Sequence, residues 1–223
     1  MIKRMYYSLH RLTARKEERG SYSSGVWQYG VRDAIARLTA GCPGKRVLEV
    51  GCGEGLLLEK LAETAGAGFA LFGVDTDHGR LSLAKARMGP AVGLSVQSGE
   101  ALSFAGASFD VVIAGNLFYN LVSFEAVKAV LGEMKRVCVP GGLLIFDFRN
   151  KRNAFLRFKY SLALLYDSTL AGLPLNTYAP DEVRECLGDM GLVVDAWEYV
   201  GKWLFLPPPV IVVKARVQAG TEE

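Results

Sequence analysis

Five residues, Gly51-Cys52-Gly53-Glu54-Gly55, constrain this chain more than any others. They follow an apolar run, Arg46–Val50, and lead into Leu56, Leu57, Leu58 and Leu61, which have helical spacing. A strand that turns through glycines straight into a helix is a unit of an α/β sheet, and open sheets bind ligands at such carboxyl ends. Glycine lets the backbone turn sharply and approach a ligand with no Cβ in the way. The dinucleotide fingerprint needs a third glycine at position 56, where Leu56 stands, so a hydride-transfer enzyme is disfavoured. Glu54 also adds negative charge beside a helix N-terminus, which a pyrophosphate-binding turn would avoid. Taken alone, the loop fits a ligand site and a simple tight turn equally well.

The sequence downstream of Arg46 alternates short apolar runs with segments of helical period. Strands are expected at Arg46–Val50, Phe69–Val74, Ala91–Val96, Phe109–Ala114 and Gly142–Asp147, with helices near Glu54–Ala65, Gly79–Met88 and Leu121–Arg136. The last helix places Phe124, Val127, Leu131 and Met134 on one face, suited to covering a sheet. An earlier helix is expected over Val26 to Leu38, stopped by Gly41-Cys42-Pro43-Gly44. Right-handed crossovers turn this pattern into a doubly wound sheet. After Phe148 the alternation lapses into an aromatic, basic, leucine-rich stretch. Pro180-Asp181-Glu182 then opens a helix with Val183, Leu187 and Met190 on its apolar face, and Gly191 closes it. Val193–Val200 and Val210–Arg216, joined across Pro207-Pro208-Pro209, are close enough for an antiparallel hairpin.

A chain of 223 residues, half of them hydrophobic, suits one generous domain with a real core. Its net charge of +3 falls short of a dedicated nucleic-acid binder, so no nucleic acid is expected as partner. Cys42, Cys52, Cys138 and Cys186 lie far apart with no histidine nearby, which argues against a metal site or a disulfide framework and for free thiols in the cytoplasm. The basic start of the chain has no apolar segment after it to make a signal peptide. The longest apolar run, Leu204 to Val213, contains three prolines and is too short to span a bilayer.

Asp75 ends the second strand, in Leu71-Phe72-Gly73-Val74-Asp75, where a carboxylate can accept both hydrogen bonds of a ribose diol. With Asp75 and the glycine turn in place, two further motifs complete an ordered set: Ser108-Phe109-Asp110-Val111-Val112 and Arg136-Val137-Cys138-Val139-Pro140-Gly141-Gly142. Over residues 45–148 the chain resembles the class I S-adenosylmethionine-dependent methyltransferases, of the small-molecule, methyltransferase domain family 11-like type. The resemblance implies an α/β, Rossmann-like, doubly wound seven-stranded sheet with the last strand antiparallel and helices on both faces. It divides a single domain into an N-terminal cap segment (1–44), a cofactor-binding core (45–148), a lid or acceptor insertion (149–178) and a C-terminal helix with a β-hairpin (179–223).

The same resemblance implies S-adenosyl-L-methionine as cofactor. It puts Gly51, Cys52 and Gly53 along the methionine part, Glu49 near the amino group, and Asp75 with Thr76 at the ribose. Gly99, Glu100 and Ala101 follow the third strand, where relatives commonly place an aspartate against the adenine. Here Ser98 takes that position, leaving backbone groups of 99–101 or the Glu100 side chain for the contact. Asn116 and Leu117 end the fourth strand beside the methionine and the acceptor. Asn116-Leu117-Phe118-Tyr119 lacks both prolines of the amino-group methyltransferase motif, so no base substrate is inferred.

Methyl transfer from a sulfonium is an in-line displacement that mostly requires alignment and desolvation. Tyr119, Asn120 and His10 are the weak candidates for handling an acceptor, while His78 sits in a loop on the ribose side. Arg149, Lys151, Arg152, Arg157 and Lys159, interleaved with Phe155, Leu156, Phe158 and Tyr160, form a basic and apolar stretch with no acid between Asp147 and Asp167. Such a stretch suits a lid helix with snorkelling cations, or a small-molecule or lipid-like acceptor met by peripheral membrane contact through 149–165. The alternatives are a methyltransferase acting on RNA or protein, and a non-catalytic cofactor-binding domain.

Overall fold

The computed structural model describes residues 26–42, 46–65, 68–166, 174–201 and 205–218. Seven strands form one sheet: β1 (Arg46–Val50), β2 (Ala70–Asp75), β3 (Gly93–Val96), β4 (Phe109–Ala114), β5 (Cys138–Arg149), β6 (Leu192–Val200) and β7 (Val210–Val217). Their order is β3-β2-β1-β4-β5-β7-β6. The first five run parallel, and β7 is antiparallel to both β5 and β6, as the expected hairpin requires. The helices are α1 (Val26–Ala40), α2 (Leu56–Ala65), α3 (His78–Met88), α4 (Phe124–Val137), α5 (Ala154–Tyr166) and α6 (Pro180–Asp189).

The strand alternation sorts the core into two layers. Val47, Val111, Ile113, Leu143, Ile145 and Val212 point to one face and pack with Val31 and Ile35 of α1, Leu57, Leu58 and Leu61 of α2, and Leu81 of α3. Leu48, Val112, Leu144, Phe146 and Val213 point to the other and pack with Val127, Leu131 and Met134 of α4 and Val183 and Leu187 of α6. Both faces are therefore covered, which is why the central strands are apolar throughout instead of alternating with polar residues.

Several boundaries differ from the sequence reading for identifiable reasons. The helix expected from Glu54 starts at Leu56, because Gly55 has φ +78°, a conformation no helical residue can take. The strand expected from Ala91 starts at Gly93, since Gly89–Ala91 form a 3-10 turn around Pro90. The strand expected over Gly142–Asp147 runs from Cys138 to Arg149: Cys138 pairs with Phe109 of β4 at one end, and pairing with β7 continues through Phe148↔Ile211 to Arg149↔Val210 at the other. Arg149 therefore belongs to the sheet, and the segment read as a lid begins after it.

Among the described residues, no helix is long and apolar enough to cross a membrane. The four cysteines are unpaired.

Candidate functional site

The sheet reverses its winding between β1 and β4, so the loops after these neighbouring strands diverge and open a crevice. The loop after β1 is fixed by backbone hydrogen bonds: the N–H groups of Gly51 and Cys52 both donate to Val74 O, at 2.8 and 2.9 Å. Gly51, Gly53 and Gly55 all have positive φ. At Gly51 an added Cβ would stand 2.8 Å from Leu117 Cδ1, so the glycine loop and the segment after β4 are pressed together. At Gly53 a Cβ would meet nothing within 4 Å, and that open space lies beside Asp75.

Asp75 is the best-defined side chain of the site. Its Oδ2 accepts from Gly53 N at 2.8 Å and its Oδ1 from Asp77 N at 2.9 Å. These two donors fix the carboxylate plane while each oxygen keeps a lone pair for another donor. Asp77 in turn caps α3 by accepting from Gly79 N and Arg80 N, so the whole β2–α3 turn is built from two aspartates. Thr76 is exposed between them.

Glu49 lies one strand over, buried under the glycine loop at 3% exposure. Its Oε2 has no hydrogen-bond partner among the described residues. Burial pushes this carboxyl well above the ordinary range and Asp75 adds to the shift, while Arg32 and the Leu58 backbone oppose it. A buried acceptor left unpaired is costly, so the position is one that a cationic or N–H donor would stabilise.

The loop after β3 is tight: Ala101 N donates to Ser98 O at 3.1 Å and Glu100 N to Ser98 Oγ at 3.2 Å. The backbone N–H groups of Glu100 and Ala101 are thus engaged within the loop itself. Gly99 is half-buried against Val50 and Val130, and the Glu100 side chain is exposed.

Past β4 the chain passes through Asn116, a non-glycine residue at φ +58°, into the 3-10 turn Phe118–Asn120. A left-handed residue of this kind is strained and persists only where its surroundings hold it. Asp147 accepts the Asn116 N–H, and Arg149 Nη2 donates to Asn116 Oδ1 at 2.9 Å. Arg149 Nη1 also pairs with Asp147 Oδ2 at 2.7 Å, its Nε donates to the Tyr160 hydroxyl at 3.1 Å, and its guanidinium carbon lies 4.3 Å from the Tyr119 ring centroid. By sequence Arg149 and Tyr160 belong to the segment expected as a lid, and nothing in the sequence marks Asp147 for a role. Tyr119 itself accepts from Gln28 Nε2 of α1 at 3.2 Å, and Asn120 Oδ1 is buried with no hydrogen-bond partner among the described residues. His78 is exposed at the start of α3, and His10 lies outside the described residues.

The basic stretch after Phe148 does not act as one face. Arg149 is buried, Lys159 stacks 4.5 Å from the Trp27 ring centroid, and Arg152 pairs with Asp181, while Lys151, Arg157 and Phe158 are exposed.

A mixed sheet of this order, with a glycine loop, an acidic β2 end and a crevice at the β1/β4 reversal, defines a Rossmann-like domain with a ligand crevice. Residues 47–142 match the protein family described as methyltransferase domain. The ubiquinone biosynthesis O-methyltransferase of Brucella anthropi is 30% identical over 67% of this chain and 60% of its own length. That of Mesorhizobium japonicum is 28% identical over 74% of this chain and 69% of its own. The match thus spans about 60% of the first of these relatives. Among solved structures, the magnesium protoporphyrin IX methyltransferase of Synechocystis PCC 6803, with bound SAH, aligns at TM-score 0.66 and 19% identity over 86% of this chain and 84% of that one. A Haloferax volcanii putative methyltransferase in complex with the Trm112 activator aligns at 0.70 and 16% identity over 88% and 92%. These structural likenesses bear on the fold. Residues 47–142 thus carry a methyltransferase domain, similar to those of the class I S-adenosylmethionine-dependent enzymes.

Proposed function

We propose that this chain transfers a methyl group from S-adenosyl-L-methionine to a hydroxyl of a small-molecule acceptor. The observation that carries the reading is the Asp75 carboxylate, held from behind by Gly53 N and Asp77 N with its outer lone pairs left for a ribose diol. The remaining residues fit the same cofactor. Glu49 Oε2 is an orphaned buried acceptor suited to an ammonium, and the vacancy at the Gly53 Cβ position leaves room for a ligand to lie against the loop. Asn116 and Leu117 would line the methionine side, and backbone groups around Gly99 would border the adenine.

When bound, the cofactor supplies a methyl group on a sulfonium, open to displacement in line by a nucleophile. The chain's part is alignment and exclusion of water. The strained Asn116, gripped by Asp147 and Arg149, fixes the loop that must hold the acceptor in line. Asn120 Oδ1, buried and unpaired, is placed to take a hydrogen bond from an acceptor hydroxyl and orient its lone pair. The O-methyltransferase names of the relatives support a hydroxyl as acceptor. Exposed Phe158, next in sequence to exposed Arg157, suits an acceptor with an apolar tail, reached at a membrane surface.

The test is transfer of labelled methyl from S-adenosylmethionine to a panel of phenols, quinols, phospholipids and RNA. Label in a phenol or quinol supports the reading. Label only in RNA, or in none of the panel with cofactor bound, overturns it.

A further inference from the structure

The tyrosines Tyr119 and Tyr160 flank one buried guanidinium. Arg149 donates through Nε to the Tyr160 oxygen at 3.1 Å and lies over the Tyr119 ring at 4.3 Å. Gln28 Nε2 donates to the Tyr119 oxygen at 3.2 Å. Each phenol thus accepts one hydrogen bond, and neither donates its own proton to any acceptor among the described residues. Both donors belong to one cluster on the acceptor side of the sheet, beside Asn116.

The charges around the pair are uneven. Arg149 and Asp147 cancel in their 2.7 Å ion pair, which leaves Lys159, the residue before Tyr160 on α5, as a further cation. Burial lowers the affinity of Lys159 for its proton and Arg149 repels it, so an anion nearby would relieve both effects. Burial also pushes the Tyr160 hydroxyl up to about 12, which keeps it a donor across the physiological range. A base that removes a proton from the acceptor would have the opposite character.

We propose that Tyr119 and Tyr160, set by Arg149 as a positioning residue, form a donor pair that binds an anionic oxygen of the methyl acceptor, so that the acceptor carries a carboxylate or phenolate besides the group that is methylated. The assignment rests on the methyltransferase reading for its identity as an acceptor site, but the donor pair itself exists without the cofactor.

The test titrates benzoate and its uncharged relative benzyl alcohol into the protein by calorimetry, with and without S-adenosylhomocysteine. Wild type should bind benzoate more tightly than benzyl alcohol. Tyr160→Phe and Tyr119→Phe should each weaken benzoate roughly tenfold, the worth of one hydrogen bond to a charged group, and leave benzyl alcohol unchanged. Arg149→Lys, which keeps the charge and loses the fork, should weaken benzoate in the absence of S-adenosylhomocysteine. Equal binding of the two probes, no binding of either, or benzoate affinity unmoved in both phenylalanine variants overturns the proposal. Failure of S-adenosylhomocysteine to bind while benzoate behaves as expected would instead count against the cofactor reading and leave the donor pair standing.

Discussion

Asp147 and Arg149 stand two residues apart on β5 and form an ion pair at 2.7 Å with side chains 0% and 2% exposed. Burial pushes the Asp147 carboxyl above its ordinary value, against the pull of Arg149 and the Asn116 N–H. The Arg149 guanidinium stays charged: burial opposes it, and the combined attraction of Tyr160, Asp147 and Tyr119 outweighs that cost. The pair also holds Asn116, the strained residue of the site, from both sides: Asp147 accepts its N–H and Arg149 donates to its side-chain oxygen.

Removing one partner leaves the other charge buried and alone. Arg149→Met should therefore cost about 3–5 kcal/mol of stability, and Asp147→Asn with Arg149→Met together less than the sum of the two. Urea denaturation of the two single variants and the double variant measures the coupling. Strict additivity would show that the pair does not act as a unit.

Glu49 gives the unliganded protein a characteristic pH dependence. Its native pKa is raised by burial, so over the window from its ordinary value of 4.5 upward the native state holds a proton that the unfolded chain has lost. Stability contributed here is present below that ordinary value and lost as pH rises through the native one. Glu49→Gln should be the more stable protein at about pH 8 and lose this advantage near about pH 4, while binding S-adenosylmethionine more weakly. Denaturation midpoints across that range check it, and a difference between the two proteins that does not vary with pH would contradict it.

Two glycines of the site should separate packing from ligand space. In Gly73→Ala the new Cβ would stand 2.8 Å from both Cys52 Sγ and Leu58 Cδ1, so overpacking should cost about 1–3 kcal/mol. In Gly53→Ala nothing lies within 4 Å, and the left-handed backbone at φ +52° should cost about 1–2 kcal/mol. Only Gly53→Ala fills the space next to Asp75, so cofactor affinity should fall further there than stability alone explains. Equal affinity losses in the two variants would refute this.

The thiols should rank by burial. Burial pushes Cys138 up to about 12 and raises Cys52 as well, so neither supplies thiolate in the native state. Cys42, half-buried, should react first with a maleimide, as followed by mass spectrometry of the folded protein. Early labelling of Cys52 would mean that the glycine loop opens.

The cofactor side of the site was legible because its signals are local. A glycine turn, an acid at a strand end and their spacing are all readable along the chain, and the structure brings Glu49, Gly51 and Asp75 together at the ends of β1 and β2. The acceptor side depends on long-range register. Arg149 enters the sheet only because β7 pairs with β5 out to Val210, and without that pairing it reads as one more cation of a basic stretch. Tyr160 likewise looked like part of an aromatic run until its hydroxyl met Arg149. Asn116 gave no signal of positive φ, since its backbone is held from β5, about thirty residues away in sequence.

The central claim is tested most directly by calorimetry of S-adenosylmethionine on wild type and on Asp75→Ala. Wild type should bind, and Asp75→Ala should bind roughly 10- to 100-fold more weakly through loss of hydrogen bonds to a charged acceptor, alongside a lower unfolding temperature from the freed Gly53 and Asp77 N–H groups. Absence of binding by wild type, or equal affinity in the two proteins, would contradict the account.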